Sequence, residues 1–431
     1  MQMLGCHYQL SSDPRTDQHR VTDRTRDMAS TPAPTGRTLG RGASFWTAAA
    51  VAALALWTSG APSVTYPLYA ARWHLTPTTT NAIFAVYPIV LVVVLVVLGD
   101  LSDHIGRRAS ILLGLGATLV GVLLFALAPG VAWVFVGRAF MGLGVGLSLS
   151  PASAAMVDFS RPDQVARTSS ITTAATATGL ALATLVGGAL VQYAPDPLHL
   201  DYWVLAVVVA GVLALAWFLP HHVAPEDPRP WRLRGLTVPR GLGGTFATAV
   251  LAVSAAYALG AVVLAIGAQI ARQLVGSTNV LVTGALLSVS AIVIGVVAIA
   301  SRRVPARLLI AGGTAGSILG LGLLTLSAST HSLALFFASS ALAGAGYSLN
   351  FLGGLTLVNT HAPATHRAGM LSSVFVLAYL AQGATALLLG AAATSSGLTM
   401  ALELGSPAIA LVCVAALVLA LILRRAGPTT P

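Results

Sequence analysis

Asp103, Arg107 and Arg108 lie within ten residues, Gly99-Asp100-Leu101-Ser102-Asp103-His104-Ile105-Gly106-Arg107-Arg108, in a short polar gap between two long apolar runs. Charges are scarce in this chain. One carboxylate and a pair of guanidiniums supply opposite charges that can hold neighbouring helix ends together, and Gly99 and Gly106 suit a tight turn where backbones approach closely. The chemistry expected of this stretch is a conformational latch. A second cation, Arg138, stands inside an apolar run. Counted from Gly130 at 1.5 Å per residue, it lies roughly 12 Å deep, near the centre of a bilayer. An Arg there costs roughly 2.5 to 3.5 kcal/mol on insertion scales, so it faces a wet cavity or a partner, or it clamps neighbouring helices through their carbonyls.

Other polar and aromatic residues in the middle of apolar runs are Trp57, Ser63, Tyr66, Tyr257, Tyr347, Asn350, Tyr379 and Gln382. Tyr, Asn and Gln fix a ligand's orientation by hydrogen bonds and aromatic faces accept its apolar parts, so with Arg138 these are the expected substrate and coupling residues. The same aromatic residues also suit helix packing or the interfacial belts of a membrane. Asp100, Asp103, Asp158, Asp163, Asp196, Asp201 and Glu403 all fall at helix ends or in loops, so no carboxylate is expected in mid-membrane. Chemistry of an enzyme is not expected: no metal cluster, nucleophile and base pair, or carboxylate dyad stands out, and neither a metal nor another cofactor is implied. All 23 basic residues are Arg. With no Lys there is no P-loop and no Schiff base, so energy comes from a gradient or a partner. Cys6, in a polar tail, and Cys413, in an apolar run, suggest no disulfide.

The elements that position these residues are transmembrane helices. The chain is 56% hydrophobic and 8% charged over 431 residues, too little polar surface to coat a soluble globule. Twelve continuous apolar runs start near Phe45, Thr78, Arg108, Val131, Thr168, Tyr202, Thr245, Asn279, Arg307, Ser332, Ala368 and Ser406. Each is long enough for the ~20 residues a span requires, and continuity without alternation excludes barrel strands. The net charge of +10 points to membrane orientation rather than to nucleic acid, because 20 of the 23 Arg fall on one side of a twelve-span topology. That bias places both termini in the cytoplasm of a plasma-membrane protein.

Residues 1–42 are polar and read as a disordered cytoplasmic tail. Residues 43–220 and 245–425 form two six-helix bundles, joined by a Pro- and Arg-rich linker at 221–244 and followed by a short tail at 426–431. The halves repeat at an offset of about 200 residues. Arg72 meets Arg272; Gly144, Gly146 and Ser148 meet Gly344, Gly346 and Ser348; Arg167 meets Arg367. Two similar bundles about an axis normal to the membrane frame a rocker with a site between them near the midplane.

The loop from Gly99 to Arg108 resembles the one between the second and third helices of the major facilitator superfamily, Gly-x-Leu-x-Asp-(Arg/Lys)-x-Gly-Arg-(Arg/Lys), matched at every position but His104. The run Gly137-Arg138-Ala139-Phe140-Met141-Gly142-Leu143-Gly144-Val145-Gly146 is similar to that superfamily's helix 4 signature. The resemblance covers about residues 44 to 425 and implies an all-α integral membrane fold of twelve helices in two pseudo-symmetric bundles. It also implies that Arg107 or Arg108 pairs with Asp158 at the end of helix 4, while Asp103 faces the N-terminus of helix 11 near Ala368 and Gly369. Gly142 and Gly146, four apart, read as helix packing, as do Gly179, Gly187 and Gly188 in helix 5. There Ala183 and Thr184 replace the Gly-Pro pair usual in the antiporter branch, so no proline kink is expected.

The function this implies is secondary active transport of a small organic molecule, drug-like or metabolic, by alternating access. Export is favoured, the molecule is neutral or anionic, and a proton or another ion is the coupling partner. A non-transporting membrane receptor on the same scaffold and a facilitated-diffusion uptake permease are the alternatives.

Overall fold

The computed structural model describes residues 38–161, 165–220, 238 and 241–425. The N-terminal tail up to residue 37, nearly all of the linker and the tail from 426 lie outside the described residues, and the expectations for them with it. The first span is α1 (Arg41–Gly60) and α2 (Pro62–Trp73), followed by α3 (Pro77–Val97) and a short loop helix, α4 (Leu101–Ile105). Then come α5 (Arg107–Ala126), α6 (Val131–Asp158), α7 (Val165–Tyr193) and α8 (Leu200–Ala216). The seventh span is α9 (Gly243–Ala261), a wide π turn at Val262–Ile266, and α10 (Gly267–Gln273). The remainder is α11 (Val280–Ala300), α12 (Ala306–Thr330), α13 (Leu333–His361) and α14 (Ala364–Arg425).

Ten helices are long and apolar enough to cross a membrane. One of them, α14, is a hairpin of two arms: Gly397 has φ 88° and ψ 162°, and a Cβ on Gly405 would come within 2.4 Å of Leu389 on the other arm. With the shorter α8 the spans number twelve. The outside of the bundle is apolar where a soluble protein would be polar: Val207, Leu388 and Leu411 are each about 70% exposed, whereas many Ser and Thr are buried. Lipid is the solvent that such a surface fits. Exposed Trp46 and Trp217 near one end, and Trp133, Tyr193 and Trp203 near the other, stand where interfacial aromatics belong.

Caps mark several helix starts. Thr76 accepts from the Thr79 amide at 3.2 Å ahead of Pro77, and Asn279 accepts from the Val282 amide at 3.2 Å. The start of α1 and the end of α14 lie at one end of the bundle, called here the terminal end. The Leu39 amide donates to the Phe218 carbonyl at 2.9 Å, and Arg41 Nε donates to the Phe159 carbonyl at 2.9 Å, joining the start of the first span to the ends of the sixth and fourth.

The internal repeat is visible as packing. In the first half α5 and α6 meet through glycines: a Cβ on Gly114 would come within 2.7 Å of the Gly144 carbonyl, and one on Gly121 within 2.7 Å of the Gly137 carbonyl. In the second half α12 and α13 do the same, with Gly313 facing the Asn350 amide at 2.6 Å and Gly320 the Ala343 amide at 2.8 Å. Without a hydrophobic drive between helices in lipid, such backbone approach supplies the packing.

Prolines inside spans leave carbonyls without their helical N–H, and neighbouring helices supply replacements. Pro62 deprives the Thr58 carbonyl, which accepts from Arg138 Nη1 at 3.3 Å. Pro151 deprives the Leu147 carbonyl, which accepts from Ser110 Oγ at 2.8 Å.

Candidate functional site: a central aromatic cavity and its gates

A cavity of about 300 Å³ lies between the halves. The first half contributes Ser59 from α1, Tyr87 from α3, and Thr173 and Thr176 from α7. The second contributes Tyr257 and Gly260 from α9, Ser290 and Ile294 from α11, Tyr347, Ser348 and Phe351 from α13, and Phe375, Tyr379 and Gln382 from α14. These positions fall in the middle of their spans or towards the terminal end. Tyr257 is the hub of the rings: its centroid is 4.7 Å from that of Tyr379, edge to face, and 6.1 Å from that of Tyr347. A Cβ on Gly260 would stand 3.2 Å from Tyr347 Cε2, so glycine leaves room for that ring. The π turn begins two residues later, and its wider coil brings Val263 and Leu264 into the same wall.

Of the residues expected at a substrate site, Tyr257, Tyr347, Tyr379 and Gln382 line the cavity. Arg138, Trp57, Ser63, Tyr66 and Asn350 stand elsewhere. Arg138 is fully buried; it donates to the carbonyls of Thr58 and Ser59, at 3.3 and 3.0 Å, and stacks over the rings of Tyr87 at 4.7 Å and Phe84 at 5.6 Å. That is the clamp arrangement, placed behind the cavity wall that Ser59 and Tyr87 form. Tyr66 is fully buried and its hydroxyl has no partner among the described residues; the indole nitrogen of the half-buried Trp57 is likewise unpartnered. Asn350 is enclosed between α12 and α14, with Nδ2 donating to Ser317 Oγ at 3.2 Å.

In the loop, Gly106 has φ 83° and ψ 156° between α4 and α5, a conformation that favours glycine. Gly99 lies in the turn ahead of α4 and does not take a positive φ. Arg107 forms a salt bridge with Asp158, and both side chains stay partly exposed, 35% and 29%. Arg108 caps the end of α8 by donating to the Trp217 carbonyl and sits 5.8 Å over that indole ring. Asp103 is exposed. Its expected neighbour at Ala368 lies outside the residues whose side chains are described.

The end of the bundle opposite the start of α1 is closed by contacts between the halves. Asn81 Nδ2 donates to the Ala386 carbonyl at 3.0 Å, Thr78 Oγ1 to the Gly390 carbonyl at 3.1 Å, and the Val280 amide to Gln192 Oε1 at 2.8 Å. Gly188 and Gly284 make the α7–α11 approach: a Cβ on Gly188 would lie 2.9 Å from the Val280 carbonyl, and one on Gly284 2.1 Å from the Thr184 carbonyl. Gly142 and Gly146 face Tyr87 and Val94 of α3, and Gly179 faces Ala53 of α1. At the terminal end Arg302 Nη1 donates to Ser170 Oγ at 2.9 Å.

Several wall residues were not expected from sequence. Tyr87, Thr173, Thr176 and Ser290 belong to the second, fifth and eighth spans, and their place within apolar runs was the available signal. Asp201 is the other surprise. Placed by sequence at a helix end, it is 2% exposed, its Oδ2 has no hydrogen-bond partner among the described residues, and Gly187 is the neighbour that admits its carboxylate.

The profile of the Major Facilitator Superfamily matches residues 46–300, and the chain belongs to this superfamily of membrane transporters. It is similar to the multidrug efflux pump LfrA of Mycolicibacterium smegmatis, 32% identical over 168 residues, which are 38% of this chain and 32% of that protein. It is also similar to "Probable inositol transporter 2" of Arabidopsis thaliana, 32% identical over 139 residues, 32% of this chain and 22% of that one. The match thus spans a third or less of the length of these curated relatives. Among solved structures, the bacterial homologue of the human lysosomal transporter Spinster, inward-facing and occupied, has a TM-score of 0.69 at 14% identity, covering 88% of this chain and 96% of its own. The nucleoside transporter NupG has a TM-score of 0.70 at 13% identity, covering 87% and 99%. At such identities the likeness is one of fold. The fold is therefore the superfamily's, with twelve spans in a multi-pass membrane protein, and the family is one of transporters, not of enzymes.

Proposed function

We propose that this chain is a secondary transporter that moves a small organic molecule across the plasma membrane through the central cavity by alternating access, in the direction of export. The observation that carries the reading is the cavity itself, enclosed by side chains of both halves, with the far end sealed by Asn81, Thr78 and Gln192. The halves at 43–220 and 245–425 are the rocking units. Both termini are cytoplasmic in this reading, supported by the 20 of 23 Arg on that side, so the arrangement described is closed to the exterior. Arg107 with Asp158, and Asp103 from the same loop as Arg107, form the cytoplasmic latch. The efflux activity named for the mycobacterial relative agrees with export, over the shared stretch.

Counterflow in proteoliposomes tests this. A panel of uncharged, anionic and cationic aromatic compounds and of polyols is loaded inside, with and without an imposed pH gradient. Saturable exchange of at least one class is expected, and a rate that follows the gradient identifies the coupling ion as a proton. Binding without flux in both arms would replace the transporter by a receptor.

A further inference from the structure

Four hydroxyl groups of the cavity have already spent their protons on backbone carbonyls. Ser290 Oγ donates to the Leu287 carbonyl at 2.9 Å and Ser348 Oγ to the Ile294 carbonyl at 2.9 Å. Thr173 Oγ1 donates to the Ser169 carbonyl at 3.1 Å and Thr176 Oγ1 to the Thr172 carbonyl at 3.1 Å. What these groups still offer a ligand is lone pairs. Gln382 adds the strongest acceptor: the residue is 8% exposed and lines the cavity, and its Oε1, itself enclosed behind that lining, has no partner among the described residues. A buried amide oxygen left in that state favours any ligand that brings a donor to it.

Charge is absent from the wall. No Asp, Glu, Arg or His stands among the described lining residues. Arg138, behind the wall, already occupies one face of Tyr87 and is fully buried, so no ligand anion can touch it. A cation placed in the cavity would find ring faces but no carboxylate among the described lining residues, and it would meet that guanidinium's repulsion through a single ring. An anion would lose its water and gain no charged partner in the described wall, only neutral donors. The rings of Tyr257, Tyr347, Tyr379, Phe351 and Phe375 surround the space, and flat aromatic ligands fill such a space with edge and face contacts. A volume of about 300 Å³ is at the small end for a ligand pocket.

We infer that the cavity selects an uncharged, planar aromatic molecule carrying an O–H or N–H, and that the carboxamide of Gln382 reads that donor. The inference rests on the proposed transport site and names its substrate class. Gln382 is a specificity-determining residue in this scheme, and the rings supply affinity that does not depend on the donor.

Calorimetric binding to the purified full chain in lipid nanodiscs tests it with four probes of one shape: 2-naphthol, 2-methoxynaphthalene, 2-naphthoate and the 2-naphthyl-trimethylammonium cation. For the wild type, 2-naphthol is expected to bind at least tenfold more tightly than each of the other three. In Gln382→Leu the preference of 2-naphthol over 2-methoxynaphthalene is expected to vanish while the affinity of 2-methoxynaphthalene holds, which also shows that the variant is folded. Should Gln382→Leu fail to fold, Gln382→Met takes its place with the same expectation. Equal or tighter binding of either ion, a preference that survives loss of the carboxamide, or no binding of any probe overturns the inference. These ratios do not depend on flux: expected ratios without counterflow would sink transport alone, and counterflow with inverted ratios would sink this substrate class alone.

Discussion

Arg138 donates to the Thr58 carbonyl across two helices, at the one place in the first span where Pro62 has removed the helical donor. A mid-membrane charge is thereby matched to a backbone group that would otherwise be orphaned in lipid. Both of its hydrogen bonds among the described residues go to carbonyls, and the rings of Phe84 and Tyr87 pack against the guanidinium.

Replacement of Arg138 by Leu is therefore expected to act first on folding. Loss of two charge-assisted bonds, with the Thr58 carbonyl left bare, costs about 2 to 3 kcal/mol. A thermal melt in detergent checks this: the variant unfolds at lower temperature without any ligand present. Arg138→Lys recovers only part of the loss, because an ammonium cannot present a planar fork to two carbonyls and stack on the rings at once.

The latch behaves in the opposite way. Arg107 and Asp158 remain partly exposed, so their pairing contributes about 1 kcal/mol or less to stability. Asp158→Arg is expected to melt close to the wild type yet lose at least tenfold in counterflow rate, and the double variant Arg107→Asp with Asp158→Arg to regain most of it. Asp103→Asn is expected to insert and melt normally and to abolish transport; unchanged rates in these variants would remove the latch.

At the far end, closure depends on Gly284, whose Cβ would lie 2.1 Å from the Thr184 carbonyl. Gly284→Val is expected to hold α7 away from α11 and block the closed arrangement. A single cysteine introduced at Gln192, which lies on that seam, should then react with a membrane-impermeant maleimide at least fivefold faster than in the otherwise unaltered chain, while counterflow falls to background. Equal labelling rates would mean that the halves do not close there.

The twelve spans and the two-bundle frame were legible because their signals are long: each run is a full bilayer thick, and the break of α14 at Gly397 splits the apolar stretches that start near Ala368 and Ser406. The repeat was legible through glycines because backbone contact tolerates little else, as the α5–α6 and α12–α13 pairs illustrate. The cavity was legible only in part. Tyr257, Tyr347, Tyr379 and Gln382 are polar or aromatic islands in apolar helices, but so are Tyr66 and Asn350, and sequence spacing does not tell which face of a helix meets the other half. Asp201 was missed for a related reason: a helix end is a solvent address by default, and only the neighbouring Gly187 makes room to enclose a carboxylate there. The wide turn at Val262–Ile266 has no sequence signature, since Val, Leu, Ala and Ile fit an ordinary helix equally well.

That wide turn divides the labour of the seventh span. One surplus residue per coil offsets the two segments by about 100° in azimuth relative to an unbroken helix, so Tyr257 below and Gln269 above are aimed independently. A π turn interrupts the regular ladder of the helix, so bending of this span is expected to concentrate there. In the proposed transport cycle the span that lines the cavity thus carries its own elbow, and its inner segment can relax without dragging the outer one along.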